Sequence, residues 1–101
     1  MRVKLKATKT SLYKLVSLYA ALPGMKKTDF TKYRRTFWLR WYDDYATYEA
    51  CFTVCAGRPI LTIERRKLDG DAPPTRTVYT ITVDDLRSRG MTEENLSLSI
   101  S

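Results

Sequence analysis

The sequence predicts an α+β fold in which an N-terminal strand and helix pack on an antiparallel β-meander of three to four strands, closed by a short C-terminal helical turn. Leu12, Leu15, Val16, Tyr19 and Leu22 recur at helical spacing. From residue 36 to residue 83, runs of aromatic and β-branched residues are separated by turn signals. The connections between these runs are short, as between antiparallel neighbours. At 101 residues and 44% hydrophobic, the chain suits one domain, 1–101, with a single core. Its last stretch, about 91–101, reads either as a final strand or as a frayed tail.

In chain order, Val3, Leu5 and Ala7 alternate with Arg2, Lys4 and Lys6, the period of a strand with one buried and one lysine-rich face. Thr10 or Ser11 is positioned to cap the helix that follows, and Pro23-Gly24 stops it. Residues 28–35 are read as a short helical turn, and 36–43 as a strand. Asp43-Asp44 then turns the chain into a second strand, 46–55, with Tyr48, Ala50, Phe52 and Val54 on one face. The alternative is one long helix, because Phe30, Tyr33, Phe37, Trp41 and Tyr48 also track a 3.6-residue period.

Ala56-Gly57-Arg58-Pro59 is a turn signal, and Asp69 to Pro74 marks a longer loop. The strands at 59–67 and 76–83 form a hairpin, Thr77, Tyr79, Ile81 and Val83 sharing one face. Thr82 with Asp85 fits a capping box opening the helical turn DDLRSR, which Gly90 ends. Leu96, Leu98 and Ile100 alternate with serines at the end. The order helix, strands, short helix resembles in topology the αβββα layout of double-stranded-RNA-binding domains. The closing DDLRSRGMTEEN is short and acidic where that family has a lysine-rich start to a long helix, so the chain is not assigned to it.

Charge narrows the function. The net charge is +7 with no histidine. Residues 1–40 hold 11 basic residues and one acid, a net +10, whereas residues 41–101 hold 7 basic and 10 acidic, a net −3. A surface of this kind attracts polyanions, either nucleic acid or the acidic face of another protein. Without histidine there is no Ser-His or Cys-His pair, and neither a GxGxxG nor a GxxxxGK[ST] motif occurs. Asp69 and Asp71 belong to a turn, not to an EF-hand loop. The expectation is a protein that is no enzyme and carries no metal or cofactor.

Cys51 and Cys55 on one strand lie about 13 Å apart, beyond the reach of a disulfide. Reduced thiols favour a cytoplasmic setting. MRVKLKATK lacks the apolar core of a secretory signal, and LYKLVSLYAAL is shorter than a membrane span.

The densest mixture of cations and rings is residues 26–45. As a strand, residues 34–42 put Phe37 and Trp41 in the core and leave Arg34, Trp38, Arg40 and Tyr42 on the other face, with Arg35 flanking. Guanidinium groups neutralise phosphates and exposed rings stack on unpaired bases. The same rings also serve as core filler. The candidate contact set for nucleic acid or another partner is Arg34, Arg35, Trp38, Arg40 and Tyr42, extended by Lys4, Lys6, Lys26, Lys27, Lys32, Arg65 and Arg66.

The leading expectation is a basic, non-enzymatic protein that binds RNA or single-stranded DNA, or docks on a nucleoprotein complex. The alternative is a protein-binding module, such as a phage or mobile-element inhibitor of a host nucleic-acid machine, or a subunit of a larger assembly, because Trp, Tyr and Arg also anchor protein interfaces.

Overall fold

A computed structural model describes residues 3–91 and 98–100, with side chains from residue 5 to residue 91. The elements in order are β1 (Val3–Leu5), α1 (Lys9–Ser17), a 3-10 turn (Met25–Lys27), β2 (Asp29–Tyr33), β3 (Thr36–Tyr42), β4 (Ala46–Cys55), β5 (Arg58–Lys67), β6 (Thr75–Thr80), α2 (Val83–Ser88) and β7 (Leu98–Ile100). Strands β2 to β6 form one antiparallel meander in sequence order, and β1 pairs with β7 in a separate two-stranded ribbon.

The α+β class with an antiparallel sheet is therefore as expected, but the sheet has five strands instead of three to four. The extra strand is β2, where a helical turn was expected. It pairs with β3 from Asp29↔Arg40 to Tyr33↔Thr36. The only helical residues nearby are the three of the 3-10 turn before it. The long-helix alternative for 28–48 is excluded by the same pairing. Five strands lie between α1 and α2, so the layout departs from the αβββα order it resembles. The N-terminal strand is hydrogen-bonded to β7 and not to the meander, and its Leu5 packs against the core. Lys4 lies in β1, but its side chain is outside the described residues, as are residues 92–97, including Leu96.

Strand parity sets the core. Phe37, Leu39 and Trp41 of β3 lie opposite Phe52, Ala50 and Tyr48 of β4, and Phe52 and Ala50 lie opposite Leu61 and Ile63 of β5. The fully buried members of this face meet Leu12, Leu15 and Val16 of α1 and Leu86 of α2. Both helices cover this one side of the sheet. The other side has no helix or strand packed on it among the described residues.

α1 begins earlier than expected. Thr8, not Thr10 or Ser11, is its N-cap, and the Thr8 hydroxyl accepts from the Ser11 N–H at 3.2 Å. Ser11 is unavailable because it is buried one turn inside the helix. α1 ends at Ser17, so Tyr19 and Leu22 pack half-buried from the following loop. α2 is capped as expected, the Thr82 hydroxyl accepting from the Asp85 N–H at 3.1 Å.

A polar clamp ties the loop that follows α1 to α2 and β6. The Tyr19 hydroxyl donates to Asp85 Oδ2 at 2.6 Å, and Arg89 donates to the same oxygen at 3.1 Å and to the Leu18 carbonyl at 3.2 Å. The Arg89 guanidinium lies 4.0 Å from the Tyr19 ring centroid, and Tyr19 packs on Tyr79 at 4.7 Å. The Tyr19 hydroxyl holds the Asp85 carboxyl below its ordinary range, and Arg89 adds to this. A carboxyl lowered in the folded state stabilises fully above its unfolded pKa of about 4 and loses that contribution as pH falls below it. Asp85→Asn should therefore lower the melting temperature at pH 6 and flatten its decline between about pH 4 and pH 2.5, measured by circular dichroism.

The β4–β5 hairpin turns on Ala56 and Gly57, at φ 52° and 77°, between the paired Cys55 and Arg58. Two successive left-handed residues make a type I′ turn, in which asparagine suits the first position better than alanine. Ala56→Asn should raise stability by about 0.5–1 kcal/mol, or roughly 3–6 °C in melting temperature.

Candidate nucleic-acid interface

Alternation along β2 and β3 places Thr31 and Tyr33, then Thr36, Trp38, Arg40 and Tyr42, on the open side of the sheet. Tyr33 is 65% exposed and Tyr42 71%. Trp38 is half-buried between its cross-strand neighbours Thr31 and Cys51. Tyr33 sits opposite Thr36, diagonal to Trp38 and about 7–8 Å from it. Tyr42 lies four residues further along β3, about 13 Å away. The three rings thus form a line of roughly 20 Å on one face.

Ion pairing sorts the basic residues. Arg40 Nε lies 2.7 Å from Glu49 Oε2, and its Nη1 donates to Thr31 at 3.2 Å. Glu64 is bracketed by Arg76 at 3.1 Å and Arg66 at 3.6 Å. Asp29, Arg40, Glu49, Glu64 and Arg76 are register partners across all five strands, a row of three acids and two bases that Arg66, paired with Glu64, brings to zero net charge. Arg40 and Arg66 are thus already engaged. Lys26, Lys27, Lys32, Arg34 and Arg35 are all exposed and make no ion pair with a described carboxylate.

These five surround the β2–β3 hairpin. Lys26 and Lys27 form the 3-10 turn that leads into β2, Arg34 and Arg35 are the loop joining β2 to β3, and Lys32 lies on the helix side of β2 at the sheet's edge. Arg34 adopts φ 56°, and its guanidinium lies 5.3 Å from the Tyr33 ring centroid. A left-handed conformation at a residue other than glycine costs about 1 kcal/mol or more. Asparagine or glycine would relieve it, yet the position holds a cation.

The remaining candidates lie elsewhere. Lys6 is exposed after β1, off the meander. Arg65 projects from the helix side, next to Tyr48, whereas its neighbour Arg66 projects from the open side. Tyr33 is the member of the ring line that sequence reasoning did not single out. Its signal was the alternation Thr31, Tyr33 against Phe30, Lys32, which matters only once β2 is a strand.

At the other end of the hairpin, a cleft of about 340 Å³ on the open face is lined by Lys27, Arg40, Tyr42, Thr47, Glu49 and Arg66, among others. Burial, with Glu49 adding to it, pushes the Cys51 thiol beside Trp38 up, keeping it protonated. Among the described residues no group of three metal-ligating side chains lies together, and no helix is long and apolar enough to cross a membrane. Compared with protein-family models, with curated proteins and with solved structures, the chain matches none.

Proposed function

We propose that this protein binds single-stranded nucleic acid along the open face of the β2–β3 hairpin, without catalysing a reaction. The observation that carries the reading is the line Tyr33, Trp38, Tyr42 with unpaired cations at both of its ends, Lys26 and Lys27 at one and Arg34 and Arg35 at the other. The rings offer flat surfaces to unstacked bases, and the cations neutralise the backbone on either side. Arg34 supports this, because a strained turn residue that carries charge points to use at the hairpin tip.

The reading is tested by titrating a labelled oligonucleotide at increasing salt. Five phosphate contacts at about 0.7 each give a slope of about −3.5 in log affinity against log salt, a loss of roughly 100-fold between about 50 and 200 mM. Affinity that changes less than about threefold over that range would rule out backbone contacts.

A second reading, a partner protein on the same face, draws on the rest of the open side. Trp38, Cys51, Thr62 and Val78 are consecutive register partners, and the charged row beside them, with Arg66, carries no net charge. A ring in a surface of low net charge is what protein interfaces bury at their centre. Salt-independent capture of a protein from its host, abolished by Val78→Glu, would favour this reading over the first.

A further inference from the structure

The helix side of the sheet is left uncovered beyond the end of α1. There a groove of about 540 Å³ runs between residues 20–23 and the register row Trp41, Tyr48, Arg65, Thr75. Its walls are mostly apolar: Leu22 and Pro23 on one side, Ile63 and the stacked pair Trp41 and Tyr48 on the other, the two rings 5.3 Å apart and inclined by only 2°.

Within these walls Arg65 is half-buried and forms no ion pair to a described carboxylate. Its side chain makes one described hydrogen bond, from Nε to the Tyr48 hydroxyl at 3.4 Å. A guanidinium has five N–H donors, so four are left for a ligand. The nearby Asp43 does not use them. Its Oδ1 accepts the backbone N–H groups of Tyr45 and Ala46, both at 2.8 Å, and its Oδ2 accepts the Tyr48 hydroxyl at 2.7 Å. These bonds, that of Tyr48 foremost, hold the Asp43 carboxyl below its ordinary range, and the nearby charge of Arg65 adds to this.

We infer that this groove is a binding site for a small aromatic monoanion, its ring against Leu22, Pro23, Ile63 and Tyr48 and its anionic group on Arg65. The volume falls within the range of small-molecule sites and accommodates a fused two-ring body. The N–H donors of Arg65 that Asp43 leaves unbonded can hold one anionic group against the apolar walls, and the Asp43 charge, which already interacts with Arg65, disfavours a second. The site is distinct from the proposed nucleic-acid face, because Arg65 projects from the side of the sheet opposite to Tyr33 and Trp38, and only Tyr42, at the end of β3, borders both.

The probes are 2-naphthoate and its neutral counterpart 2-naphthalenemethanol, titrated into the ¹⁵N-labelled protein and followed by amide shifts. Saturable shifts at Leu22, Ile63, Arg65 and Thr77 are expected, with naphthoate bound about tenfold more tightly, the gain of a charge-assisted hydrogen bond. Arg65→Gln should abolish that tenfold preference and leave the affinity for the alcohol unchanged. Thr77→Tyr, at an exposed strand position lining the groove, should block both probes in a protein whose spectrum is otherwise native. The inference is overturned if neither probe saturates, if the shifts map to Tyr33 and Trp38, or if the preference for naphthoate survives Arg65→Gln.

Discussion

Replacing Trp38 with threonine together with Arg34→Gly and Arg35→Gln should weaken binding of a single-stranded oligonucleotide by on the order of 100-fold at about 150 mM salt, in a protein that remains folded. The magnitude has two parts. Loss of one stacked base costs about 1–3 kcal/mol, and each lost phosphate contact lowers affinity severalfold and the salt slope by about 0.7. The fold is kept because Trp38, though half-buried, lies outside the core on the open face, where threonine keeps the strand preference, and because glycine relieves the left-handed backbone at residue 34. Arg34→Gly alone separates the two effects: it should raise the melting temperature while lowering affinity. Intrinsic fluorescence gives an independent readout, since in a Trp41→Phe background the emission comes from Trp38 and a stacking base should quench it. Unchanged affinity in the triple variant would remove the hairpin from the site.

Phe52→Ala should cost about 3–5 kcal/mol, which for a chain of this size lowers the melting temperature by roughly 15–30 °C. Phe52 is 2% exposed, stacks on Phe37 at 6.0 Å, and lies between Phe37 of β3 and Leu61 of β5 in the register. Its removal opens a cavity beneath the helix layer that rigid strands on both sides cannot close. Val78→Ala is the matched control on the opposite face: Val78 is 60% exposed, and its truncation should change stability by less than about 0.5 kcal/mol. Equal effects from the two would mean that the helix side is not the core.

Several elements were legible because their signal is local. Phe37, Leu39 and Trp41, then Tyr48, Ala50 and Phe52, alternate strictly, and a strand buried on one face needs that period and no other. Asp43 ends β3 through its own backbone hydrogen bonds, and the caps of α2 and the type I′ turn at Ala56-Gly57 also depend on adjacent residues. β2 was not legible. Of its five residues only Phe30 is partly buried, so DFTKY carries no apolar alternation, and its strand state comes from pairing with β3. The cap of α1 was misplaced for a related reason. Thr8, Thr10 and Ser11 are equivalent as hydroxyls, and the burial of Ser11 beneath the helix decides among them.

The candidate site divides in the same way. The concentration of cations and rings in residues 26–45 was plain, as was the division of Phe37 and Trp41 from Trp38 and Tyr42. Which cations are free was not: Arg40 meets Glu49 nine residues away and Arg76 meets Glu64 twelve residues away, pairings that exist only through the strand register.

By itself, then, the sequence determined the class, the inward-facing residues of β3 and β4, the turns that follow β3, β4 and β5, and the basic character of the N-terminal part, since each depends on short-range periodicity or composition. The tertiary structure alone decided that β2 is a strand, that β1 joins β7 from the far end of the chain, and that Lys26, Lys27, Lys32, Arg34 and Arg35 flank one hairpin. Each of these depends on which distant residues become neighbours, and hydrogen bonding between strands, not local preference, chooses them.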